Sequence, residues 1–221
     1  MIYISTNEWK DNNCSLGILL MDNIQNNFSQ TFEQAKRDLE IFIRDAYQKA
    51  TRKELKEIYP LKTYVAYYKK FNCTYHVLLQ LESITKGKSI PTKLPIVEAM
   101  FMSELKNLLL TAVHDFDKII QPLSLKKSSG VESFTSLSGS YVTVNKDDLY
   151  IADNENIISS FIRGADQRTA VTPLTTKALF TTYAPLEIEN TLIYQNLSDI
   201  ESFVKIFSPQ ATTLQKEVIT S

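Results

Sequence analysis

Residues 114–117 read His-Asp-Phe-Asp, three ionisable side chains in four positions, directly after the apolar run Leu108-Leu109-Leu110. An imidazole titrates near neutrality, so His114 is the candidate catalytic group, able to orient a water or polarise a ligand carbonyl. Asp115 and Asp117 are the carboxylates that could fix its tautomer or contact a ligand. The same residues have a plainer reading. An imidazolium at a helix C-terminus stabilises the helix dipole, and aspartates often cap the turn that follows. The pattern lacks the glycine and spaced carboxylates of a calcium loop, and the other histidine, His76, adds no metal-ligand spacing. No metal is expected.

Other signatures are missing. The chain has no GxGxxG, Walker A, HExxH or GxSxG motif, and five glycines leave little material for a phosphate-cradling loop. No cofactor is expected. Cys14 and Cys73 form neither a metal motif nor a disulfide framework. Lys and Arg total 24 against 25 Asp and Glu, so the basic surplus of a protein that grips long nucleic acid by itself is missing. RNA contact would have to be local, and neither DNA nor membrane is an expected partner. The opening MIYISTNEWK lacks the apolar core of a signal peptide, and no apolar run approaches a membrane span, so a soluble, cytoplasmic protein is the expectation.

The elements that must position these residues follow from periodicity. SLGILLM (15–21) reads as a buried strand. Thr31 and Gln34 have capping-box spacing ahead of a stripe formed by Phe32, Ala35, Leu39, Phe42, Ile43 and Ala46. A second box, Thr51 with Glu54, predicts a short helix ending before Pro60. Tyr64, Tyr68 and Phe71 fall on a core stripe, with Lys69 and Lys70 on a solvated face. Val77 to Ile84 predicts a helix closed by Gly87, and Pro95 to about Ala112 the longest helix. Beyond His114 the character turns to strands: 141–144, 149–151, 157–162 and 179–183. Ser198 and Glu201 predict the start of a closing helix. Helices first and strands second give an α+β class with a mixed or antiparallel sheet in the carboxy-terminal half.

Three stretches carry more. TYHVLLQLESITKGKSIP (74–91), LPIVEAMFMSELKNLLLTAVHDFDKI (94–119) and LYIADNENIISSFIRGADQRTAVTPLTTKALFTTYAP (149–185) together resemble the B3/B4 editing module of the beta subunit of bacterial phenylalanyl-tRNA synthetase. They look closer still to the free-standing B3/4-domain proteins. The resemblance implies a single domain over 1–221. Its B3/4-like core runs from about 50 to 185, a strand–helix extension occupies 1–50, and a closing helix occupies 186–221. It also implies a tRNA-related role, with aminoacyl-tRNA or a small amino-acid-like ligand as partner. The implied activity is that of an aminoacyl-tRNA deacylase, an ester hydrolase that uses a positioned water.

By the same resemblance, Ile96-Val97-Glu98 matches an acidic motif, His114 to Asp117 a histidine–aspartate element, and Gly164-Ala165-Asp166 a turn beside the ligand. Arg168 would meet a phosphate or carboxylate, or else pair with Asp166 on the surface. Thr181 would line the pocket, and the family has a glutamate where this chain has Thr181 or Thr182. This chain departs from the pattern at that glutamate and at a Thr-Asn pair, for which it has Met100-Phe101 or Met102-Ser103. A non-catalytic module binding a small molecule or a protein in the same cleft is the alternative.

Overall fold

The computed structural model describes residues 2–5, 14–185 and 187–220. Residues 6–13 of the expected amino-terminal extension, and Leu186 at the start of the expected closing helix, lie outside them. The first strands are β1 (Ile4–Ser5) and β2 (Cys14–Asp22). Five helices follow: α1 (Gln30–Tyr47), α2 (Arg52–Leu55), α3 (Leu61–Lys69), α4 (His76–Thr85) and α5 (Pro95–Asn107). Then come β3 (Thr111–Asp115), β4 (Leu123–Lys127), β5 (Ser133–Thr135), β6 (Tyr141–Thr143), β7 (Leu149–Ala152), β8 (Ile157–Ser160), β9 (Gly164–Ala165) and β10 (Ala178–Pro185). Helix α6 (Asn190–Phe207) and strand β11 (Thr212–Thr220) close the chain.

The class is α+β, with helices and largely antiparallel sheets. One sheet has the order β11-β2-β10-β3 and is antiparallel throughout. A second has the order β1-β4-β7-β8-β9, parallel only at β1–β4, and β5 and β6 form a two-stranded antiparallel sheet. Among the described residues no helix is long and apolar enough to cross a membrane.

Several expectations hold. Thr51 and Glu54 form their reciprocal cap, Glu54 N donating to Thr51 Oγ1 at 3.3 Å and Thr51 N to Glu54 Oε2 at 2.7 Å. Tyr64 and Tyr68 are core residues, and their hydroxyls bridge layers: Tyr64 Oη donates to the Tyr183 carbonyl at 2.6 Å, Tyr68 Oη to that of Phe161 at 2.7 Å. Others are corrected. The cap of α1 is Ser29, which accepts from Phe32 N, and Phe42 and Ala46 are exposed, so the buried stripe is Phe32, Leu39 and Ile43.

The helix expected over 95–112 stops at Asn107, because Leu108 takes the left-handed conformation that terminates helices, at φ 59°. The chain then pairs with β10, Ala112 opposite Thr181 and His114 opposite Leu179. Ser198 and Glu201 do not start a helix. They lie within α6, where Ser198 Oγ donates to the Tyr194 carbonyl one turn back. The chain does not end in a helix either: Glu201 accepts from Lys216 Nζ at 2.7 Å, tying α6 to β11, which the closing-helix reading had missed.

Helix α6 lies directly on β2. A Cβ at Gly17 would stand 2.6 Å from Ile193 Cγ2 and 3.1 Å from Thr182 Cβ, so glycine sets this close approach. Gly17→Ala is expected to cost about 1–3 kcal/mol through overpacking, read as a lower urea midpoint at unchanged slope. Combining it with Ile193→Ala should cost less than the sum of the two, since one clash is shared. Strict additivity would show that the contact is not the cause.

Candidate functional site

The face of β10 carrying Leu179, Thr181 and Tyr183 looks away from α6 towards β8. Between them lies a cavity of about 410 Å³. Tyr183 and Ala112 come from the first sheet, and Ser159, Phe161, Ile162, Gly164 and Ala165 from the β8–β9 hairpin. Ala170 and Val171 close one side. Val97, Met100, Phe101 and Glu104 of α5, with His76 and Gln80 of α4, form the helical wall. The surface is mainly apolar, with convergent polar groups, as in small-molecule sites.

Three of those groups are unusual. The Tyr183 phenol is fully buried, and burial pushes its pKa up to about 12, with the nearby Ser159 and Thr181 hydroxyls pulling the other way. These three hydroxyls are turned to one another, and beyond that none of Tyr183 Oη, Ser159 Oγ and Thr181 Oγ1 has a hydrogen-bond partner among the described residues. Gln80 Oε1, on the helical wall, is also unpartnered. Buried polar atoms are nearly always paired, because an unmade hydrogen bond costs about 1–3 kcal/mol. Ser159 and Tyr183 border the open volume, with Thr181 beside Tyr183, so this under-satisfied hydroxyl cluster is placed to meet something that enters it.

His114 does not border this cavity. It is 0% exposed, and its Nδ1 lies 2.7 Å from Thr169 Oγ1. Thr169 Oγ1 in turn makes a very short contact to Asp166 Oδ1, and Thr169 N donates to the same carboxylate at 3.2 Å. With Asp166 ionised, Thr169 donates to it and accepts from His114 Nδ1–H. That leaves Nε2 as a buried acceptor without a partner. Burial, reinforced by the Arg168 charge, holds the imidazole neutral, with a pKa lowered to about 4. His114 is thus a strand residue sealed in the interior rather than a water-orienting base or a charged helix end.

Its neighbours continue the same network. Asp115 N donates to the Thr169 carbonyl at 2.8 Å, and Asp115 Oδ2 accepts from Thr175 Oγ1 at 2.8 Å. Its Oδ1 caps the single 3-10 turn at 116–118 by accepting from Asp117 N, while the Asp117 side chain points to solvent. Arg168 donates to the Lys118 carbonyl and to Asp153 Oδ2, both at 2.7 Å, and lies 3.8 Å from Asp166. It is committed inside the protein, not turned to a phosphate.

The structure therefore divides the expected residues. His114, Asp115, Asp166 and Arg168 form one buried network. Its Thr169 directly precedes Ala170 and Val171, so the network holds a wall of the cavity in place. Gly164 borders the cavity with φ +77°, and a Cβ there would meet nothing within 4 Å, so it serves the turn rather than a close approach. Thr181 belongs to the hydroxyl cluster. Glu98, matched to the acidic motif, is bound to Lys36 Nζ at 2.6 Å and accepts from Lys93 N.

Residues that the pattern did not single out are Ser159, Thr169, Tyr183, and the pair His76 and Glu104. Only the alternation along 179–183, which puts Thr181 and Tyr183 on one face, could have signalled any of them.

No protein-family model and no curated protein matches the chain. Among solved structures the fold is similar to an N-terminal fragment of the phenylalanyl-tRNA synthetase beta subunit from Pyrococcus horikoshii. The two are 13% identical with a TM-score of 0.46, over 58% of this chain and 43% of that one, so this chain spans less than half of that fragment. A likeness at that level says nothing of ligand or reaction.

The buried imidazole has a consequence for stability. Its folded pKa lies below that of an unfolded histidine, so its contribution is complete above about pH 6.5 and is lost as pH falls towards 4. The loss should reach about 2 kcal/mol at pH 5. Urea titrations of wild type and His114→Gln at pH 7 and pH 5 isolate this term. The variant is expected to lack that part of the pH dependence, and equal slopes in the two proteins would contradict it.

Proposed function

We propose that this protein binds an amino-acid-like ligand with an apolar side chain in the cavity between β10 and the β8–β9 hairpin. The observation that carries this reading is the hydroxyl cluster of Ser159, Thr181 and Tyr183, without partners beyond one another among the described residues, whose Ser159 and Tyr183 border a cavity of about 410 Å³ with mainly apolar walls. Such a volume suits one side chain and its polar head, within the range of ordinary ligand sites. A neutral phenol and two alcohols both donate and accept, so they suit an uncharged polar group on the ligand rather than an ionic one.

The resemblance of the three stretches extends the reading to a tRNA-related role. In that form the ligand arrives as the ester on a tRNA 3′ end, and the reaction is hydrolysis of misacylated aminoacyl-tRNA in trans. The near-neutral net charge and the internal commitment of Arg168 support the other source, a free small molecule. Calorimetry separates the two. One arm uses free phenylalanine and leucine. The other uses the same amino acids amide-linked to the 3′ nitrogen of 3′-amino-3′-deoxyadenosine. Binding of the linked form alone favours the tRNA source, and equal binding favours the free one.

Hydroxyls with no partner outside their own cluster should be dispensable for folding but not for binding. Tyr183→Phe and Thr181→Val are expected to leave unliganded stability unchanged or slightly raised, and to weaken binding about three- to tenfold each, the worth of one hydrogen bond. Unchanged affinity in both variants, or no binding by the wild type to any of these compounds, would remove the reading.

A further inference from the structure

Across the cavity from the hydroxyl cluster stands a pair that the binding reading leaves unused. His76 is the first residue of α4, and Glu104 lies on α5. The Glu104 side chain is 3% exposed, and its Oε1 both accepts from Thr111 N at 3.0 Å and lies 3.6 Å from His76 Nε2. The carboxylate is thus anchored to the start of β3, and it stands at ion-pair distance from one imidazole nitrogen. The ring remains half-exposed and borders the cavity.

Tyr68 and Tyr75 flank it, with ring centroids at 6.2 and 5.4 Å, and Arg163 is a charged group on the same cavity wall. Burial works against the imidazolium, but the Glu104 hydrogen bond and charge outweigh it and raise the pKa above the ordinary histidine value. His114 and His76 are accordingly opposites: one sealed and neutral, the other at the cavity and able to exchange a proton near neutral pH.

The cavity offers no activated protein nucleophile. Ser160 Oγ gives its proton to the buried Asp148 carboxylate at 2.6 Å, Ser159 has no base beside it, only the neutral Tyr183 phenol, and neither cysteine lines the cavity. A lone base without a paired nucleophile suits attack by water on an ester, whose alcohol leaves far more readily than an amine does.

Resting on the ligand reading above, we propose that His76 is the acid–base residue of this cavity and Glu104 the residue that positions it, for hydrolysis of esters with an apolar acyl group. His76 Nδ1 takes a proton from water as the water oxygen bonds to the ester carbonyl carbon. The carbon–oxygen bond to the alcohol then breaks, and the same proton passes to the departing alkoxide. Ester and water become acid and alcohol, with no other reactant. Glu104 keeps Nδ1 turned to the cavity and stabilises the imidazolium formed in between.

The test uses the full chain with the phenylalanine 3′-ester of adenosine as substrate and the amide-linked analogue for affinity. Wild type is expected to hydrolyse the ester with a rate that rises with pH through the His76 titration. His76→Gln should lower kcat at least a hundredfold while changing affinity for the analogue less than about threefold. Glu104→Gln should move the pH limb to lower pH, a readout that loss of packing alone would not produce. Titrating the His76 ring of the wild type by NMR keeps the test open if that variant folds poorly, since its midpoint must match the kinetic limb. Full activity in His76→Gln, a mismatch of the two midpoints, or analogue binding without any hydrolysis by the wild type would overturn the assignment. The last result would leave the ligand reading intact, whereas failure to bind the analogue or free amino acids removes that reading itself.

Discussion

Strand β10 is buried along all eight residues, with β2 on one side and β3 on the other, and its two faces do different work. Thr182 faces α6, where Asn196 Nδ2 donates to its hydroxyl at 2.8 Å inside a network with Ser103, Asn107 and Thr111. Tyr183 borders the cavity, and Thr181 lies on the same face of the strand. A slip of one residue in register would carry the hydroxyl cluster into the helix layer and expel Thr182 from its partner. Gly17 protects this register from behind, because only a residue without Cβ lets α6 sit so close to β2 opposite Thr182.

The buried polar groups fall into two kinds, and the contrast organises the molecule. The networks around Asn196, around Lys36–Glu98 and around Asp166–Thr169–His114 hold elements in place, although His114 Nε2 and Arg168 Nε in the last are left without a partner among the described residues. The hydroxyls of Ser159, Thr181 and Tyr183 have no partners beyond one another among the described residues. Folding alone would favour apolar replacements there, so their presence fits the general conflict between stability and a site kept ready for a ligand.

Much of the fold was legible from local patterns. The apolar run at 15–21, the Thr51–Glu54 box and the tyrosine stripe of α3 each have one dominant physical reading, and each is where the pattern put it. The helix end at Asn107 was not legible. Leu108 to Ala112 is apolar at every position but Thr111, and such a run suits a helix or a buried strand equally until a partner strand decides. That ambiguity moved His114 from an assumed helix end to the edge strand of a sheet. Spacing also misled at Ser198 and Glu201, which match a capping box but sit inside a helix begun eight residues earlier at Asn190. The pairing of His76 with Glu104, and of Thr169 with His114, joins residues distant in sequence. No local pattern encodes them.

What distinguishes a ligand site from a merely imperfect core is whether a ligand completes the hydroxyl cluster. A crystal structure of the chain saturated with the amide-linked phenylalanyl adenosine analogue decides this. The expected result is an aromatic side chain enclosed between Phe161 and α5, with a polar ligand atom within hydrogen-bond distance of Tyr183 Oη or Ser159 Oγ. An analogue bound elsewhere on the surface, with the cavity unchanged and all three hydroxyls still partnered only by one another, would contradict it.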